Sequence, residues 1–114
     1  MRTIIAGGRN YRWSRSDFRL LDFFWQSIPI TEVVCGMARG ADLLGKTWAE
    51  HRGIPVREFP AKWDEQGKAA GHIRNERMAD YAQALIAFPG GEGTRSMISK
   101  AVKRGLKVEI VNEP

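Results

Sequence analysis

The chain has 114 residues, 43% of them apolar and 27% charged, and 18 Lys and Arg against 13 Asp and Glu give a formal net charge of +5. That length fits one domain with a sizeable core and leaves no room for a second, and no apolar run approaches the ~20 residues that span a bilayer. The single cysteine excludes an internal disulfide and a cysteine-only metal site, while the positive charge favours anionic partners, nucleotides and single-stranded nucleic acid among them.

The run from Arg2 to Ala6 is shorter than the hydrophobic region of a signal peptide and reads as a first strand over residues 3–6, closed by Gly7-Gly8; a cytoplasmic protein is expected. Phe18, Leu21, Trp25 and Ile28 then recur at helical spacing, predicting a helix over 15–28. Residues 32–35 form a second strand ended by Gly36, with Cys35 expected as a buried, inert thiol. A second helix spans 42–51, where Leu44 and Trp48 lie one turn apart and Gly53 supplies a stop. A short third strand, 55–59, leads into a polar loop over 60–71 that carries Lys62, Trp63, Asp64 and Lys68. That loop is long for a compact domain, a feature of functional or mobile segments. A helix over 72–82, a wholly apolar strand over 84–88, a helix over 94–104 stopped by Gly105, and a last strand over 106–111 complete the chain.

Alternating strands and helices predict an α/β, Rossmann-like fold. The whole of residues 1–114 forms one domain around a five-stranded, mainly parallel sheet of order 3-2-1-4-5, with helices on both faces. In such a sheet ligands bind beyond the carboxyl ends of the strands at the topological switch, here between the first and fourth strands. Gly7-Gly8-Arg9-Asn10 and Pro89-Gly90-Gly91-Glu92-Gly93-Thr94 meet there, and Gly36-Met37-Ala38-Arg39-Gly40 stands beside them.

Glycines allow close approach to backbone amides, and a helix starting near Thr94 offers unpaired N–H groups and a positive dipole end, so phosphate is the natural guest. Thr94 is expected to cap that helix through its hydroxyl or to donate that hydroxyl to a phosphate oxygen, two roles that are not exclusive. The candidate ligand-binding residues are Gly7, Gly8, Arg9, Gly36, Arg39, Gly40, Arg74, Asn75, Gly90, Gly91, Gly93 and Thr94, with Trp63 either stacking on a base or covering the core edge. Arg74 and Asn75 are expected in the first turn of the third helix. A cation there is unfavourable unless an anion binds nearby, the alternative being a surface arginine paired with Glu76 or Asp80. Asp42 is read as stabilising its helix start, with a ribose hydroxyl as the alternative partner. His51 and His72 lack a companion cluster, so no metal site is expected, and no cofactor.

These motifs have a family likeness. The string HIRNERMADYAQALIAFPGGEGT is similar to the segment of the LOG nucleotide phosphoribohydrolases that runs from an arginine-bearing helix to a PGGxGT turn. The set AGGRNY, GMARGAD, FPAKWDEQGKAAGHIRN, FPGGEGT and GLKV resembles, over nearly the whole chain, the YspA-type, YpsA-related branch of the SLOG superfamily, to which DprA also belongs. The resemblance implies binding of a nucleotide or nucleotide-derived ligand, ADP-ribose-like compounds included, by a sensor or accessory protein, and a homodimer built around the third and fourth helices. Phosphoribohydrolase activity and single-stranded nucleic-acid binding in the manner of DprA are its alternatives. In the LOG pattern PGGxGTxxE the glutamate serves N-glycosidic cleavage together with the helix arginine. Arg74 matches the arginine, but Met97 stands at the glutamate position, and a thioether neither stabilises an oxocarbenium ion nor directs water. Asp64, Glu65 and Glu76 are the candidates for a relocated carboxylate; Glu92 lies at the variable position of the turn.

Overall fold

The computed structural model describes residues 1–36 and 39–112. Five strands, β1 (Arg2–Ala6), β2 (Glu32–Cys35), β3 (Val56–Glu58), β4 (Ala84–Ala87) and β5 (Lys107–Ile110), form one sheet of order β3-β2-β1-β4-β5. Every neighbouring pair is parallel, so the sheet is wholly rather than mainly parallel. The helices are α1 (Arg15–Ser27), α2 (Ala41–Arg52), α3 (Trp63–Gln66), α4 (Ala70–Tyr81) and α5 (Glu92–Lys103), with a 3-10 turn at Gly67–Ala69 before α4. None of the described helices is long and apolar enough to cross a membrane.

Strand residues alternate between the two layers, as the two-residue period of a strand requires. Ile5, Val33, Ala84 and Ile86 pack with Leu21 of α1 and with Leu44 and Trp48 of α2, whereas Ile4, Val34, Leu85 and Ala87 pack with Met78 of α4 and Met97 and Ala101 of α5. Both faces are therefore dry, which explains the unbroken apolar character of β2 and β4. Gly45 brings α2 onto β1 so closely that a Cβ there would meet the Ile5 Cβ at 2.7 Å. On the other face, Arg104 bridges α5 to α4 through Asp80 (2.7 Å) and Glu76.

The helix boundaries differ from expectation at the two segments that carry candidate site residues. The loop over 60–71 is partly helical: α3 and the 3-10 turn run directly into α4, which starts at Ala70. Arg74 and Asn75 therefore occupy the second turn of α4, beyond reach of most of the terminal dipole. At the glycine turn, Gly91 is the N-cap residue and Glu92 already begins α5, so Thr94 lies inside the first turn and caps nothing.

Candidate functional site

β1, β2 and β4 all end at one edge of the sheet, and their loops enclose a cleft of about 420 Å³. The Gly8 amide donates to the Pro89 carbonyl (2.9 Å), which joins the loop after β1 to the loop after β4. That contact leaves no room for a side chain at residue 90, where a Cβ would sit 2.7 Å from the Gly8 nitrogen and 2.9 Å from the Thr94 Cβ. The first helical bond from this end of α5 is Arg95 N–H to Gly91 O (3.0 Å). The amides of Glu92, Gly93 and Thr94 precede it, as the first N–H groups of any helix do, and Gly91, Gly93 and Thr94 line the cleft.

Arg74 reaches across this space. Its Nη1 donates to the Gly36 carbonyl (2.5 Å) and its Nε to Asn75 Oδ1 (3.0 Å), while Asn75 Nδ2 donates to the Gly93 carbonyl (3.4 Å). One chain of hydrogen bonds thus ties the end of β2, the second turn of α4 and the start of α5. Burial pushes the Arg74 guanidinium below its ordinary pKa; the Asp42 carboxylate opposes that shift and the Arg9 charge adds to it. A half-buried cation in this position gains most from an anion beside it. Glu76 and Asp80, its expected surface partners, are instead paired with Arg104.

Among the predicted residues, Gly7, Gly8, Arg9, Gly36, Trp63, Arg74, Asn75, Gly91, Gly93 and Thr94 line the cleft. Trp63 lines it with half of its surface exposed. Arg39, Gly40 and Gly90 stand outside it. Gly40, the N-cap residue of α2 at φ 67°, backs onto the Arg9 carbonyl group and has a structural part in the loop, and Gly90 packs on Thr94 and Gly8.

The carboxylates at the cleft are Asp42, buried at the start of α2, and Glu92; Asp64, Glu65 and Glu76 do not line it. Met97 does, but with 2% exposure it belongs chiefly to the core between α5 and the sheet. Lys68 and His72 complete the basic wall and were not expected there. Lys68 sits in a segment read as loop, and His72 drew notice only as a metal ligand. Its Nδ1 lies 3.4 Å from Ser96 Oγ, which in turn accepts from Lys100 Nζ (2.7 Å).

A doubly wound parallel sheet with a glycine-walled, arginine-bearing cleft at its switch point defines a Rossmann-like domain with a candidate ligand site. Residues 1–65, more than half of the chain, match the model of the YAcAr family, described as YspA, cpYpsA-related SLOG. The chain belongs to that family. The matched span contains the β1 and β2 loops and Trp63, and ends before Arg74 and the FPGGEGT turn. No curated protein and no solved structure matches the chain.

Proposed function

We propose that the protein binds a nucleotide or nucleotide-derived ligand in this cleft, ADP-ribose-like compounds being within the class, and acts as a sensor or accessory protein. The observation that carries the reading is Arg74. Its guanidinium is half buried, fixed by Gly36 and Asn75, and it lines the cleft together with Gly93 and Thr94 at the start of α5. A phosphate resting on those amides and on Thr94 would neutralise it with charge-assisted hydrogen bonds. Trp63 offers a flat apolar face for the base, and Asp42 an acceptor for a ribose hydroxyl. Membership of the SLOG family fits this class of ligand. A thermal-shift screen with nucleoside mono- and diphosphates, ADP-ribose and cyclic ADP-ribose tests the reading. A concentration-dependent rise in Tm, lost in Arg74→Ala, supports it, and the absence of any saturable response contradicts it.

Hydrolysis of an N-glycosidic bond is the second reading, favoured by the buried carboxylate of Asp42 at the cleft. Release of free base from a nucleoside monophosphate, abolished by Asp42→Asn, would promote it over the sensor.

A further inference from the structure

Arg39 opens onto a second hollow beside the main cleft, walled by Asn10, Arg39, Pro60 and Ala61 and sharing Arg9, Gly36, Trp63 and Arg74 with the first. Three arginines line this hollow, and among the described residues no carboxylate does. The ion pairs among the described residues engage Lys46, Arg52, Lys100 and Arg104, and neither Arg9 nor Arg39 enters one. Arginine's planar fork matches phosphoryl oxygens, and like charges gathered at one place are favourable only with an anion between them.

A monophosphate seated on the α5 amides satisfies the main cleft and leaves Arg39 without a role. Because Arg9 and Arg74 line both hollows, the two anion positions adjoin. Resting on the nucleotide reading of the main cleft, we infer that the Arg9, Arg39 and Arg74 hollow is a second anion subsite. The ligand accordingly carries two adjacent phosphoryl groups, as in a nucleoside diphosphate or a diphosphate-bridged nucleotide. The first phosphoryl group lies against Glu92 to Thr94, and the second passes between Arg9 and Arg74 to meet Arg39.

Calorimetric titration of the full chain with AMP, ADP, GMP and GDP tests this. The diphosphate of the preferred base is expected to bind about tenfold or more tightly than its monophosphate. Arg39→Ala, a change at an exposed side chain, should remove that preference while leaving the monophosphate Kd within about twofold. Arg39→Lys, which keeps the charge without the fork, should fall between the two. Equal affinity for mono- and diphosphate, or equal weakening of both by Arg39→Ala, overturns the second subsite and leaves the nucleotide reading standing. Failure of all four to bind, and of ADP-ribose beside them, overturns both. A short oligothymidylate binding more tightly than either diphosphate, through Arg39, assigns the hollow to a nucleic-acid strand and also overturns the inference.

Discussion

Arg74 Nη1 donates to the Gly36 carbonyl at 2.5 Å, and a Cβ placed on Gly36 would lie 2.5 Å from the same nitrogen. The absent side chain at residue 36 is therefore what lets the guanidinium lie where it does. Since the obstructed atoms are the far end of a flexible side chain, Gly36→Ala should alter global stability by less than ~1 kcal/mol. Ligand affinity should nevertheless fall about tenfold or more, close to the effect of Arg74→Ala. Paired denaturation and titration curves check both halves.

The glycines of the FPGGEGT turn divide by their surroundings. A Cβ on Gly93, in the first turn of α5, meets nothing within 4 Å, so Gly93→Ala should stabilise the protein by roughly 0.5–1 kcal/mol through helix propensity. It should also weaken binding if a methyl group in this first turn hinders the phosphate proposed to rest on its amides. Gly90→Ala forces a Cβ against the Gly8 nitrogen and Thr94, and should destabilise by about 1–3 kcal/mol. Opposite signs in urea denaturation with reduced affinity in both variants is the expected pattern.

Far from the cleft, Asp22 accepts from Trp48 Nε1 (2.9 Å) and is bridged by Arg52 (2.8 Å). The hydrogen bond from Arg52 holds its carboxyl below the ordinary 3.8, with desolvation by burial opposing and the Trp48 bond assisting. A depressed carboxyl contributes stability that is present above pH 3.8 and is lost as pH falls through the lower folded-state value. Asp22→Asn, which keeps an acceptor for the indole, should therefore flatten the loss of stability below pH 3.8. Asp22→Ala orphans the N–H of Trp48, whose ring is fully buried, and should cost about 1–3 kcal/mol at neutral pH. Stability measured against pH in the three proteins separates these effects.

Met97 tests the departure from the LOG pattern. It packs in the apolar layer with Ile4, Leu85 and Met78. Met97→Glu should destabilise by roughly 2–3 kcal/mol through burial of a carboxyl group and should not create base release, because the surrounding layer is built for a thioether. Chromatographic assay of free base from AMP, beside a denaturation curve, checks it.

Much of the architecture was legible because two periodicities were clean. Ile4 and Ile5, or Leu85 and Ile86, had to face opposite layers once helices alternated with strands, and the strand order followed from crossover handedness. The convergence of the β1, β2 and β4 loops came with that order. The four-residue helix α3 was hidden, since one polar turn flanked by Pro60 and Gly67 has no period to detect. The start of α5 was misplaced because Gly91 and Gly93 read as loop, although glycine is accepted both as an N-cap and in a first turn. The separation of Arg39 from the main cleft depends on the Gly40 turn and on where Pro60 to Trp63 fold back, neither of which sequence spacing encodes.

Whether the Arg74 cleft binds a nucleotide-type ligand is decided by calorimetric titration of wild type, Arg74→Ala and Lys103→Ala with one nucleotide panel. Lys103 is exposed in the last turn of α5, away from the cleft, and controls for the loss of one positive charge. Saturable one-site binding to wild type and Lys103→Ala is expected, with affinity lower by about tenfold or more in Arg74→Ala. Equal affinity in all three proteins, or no saturable binding to the wild type, would contradict it.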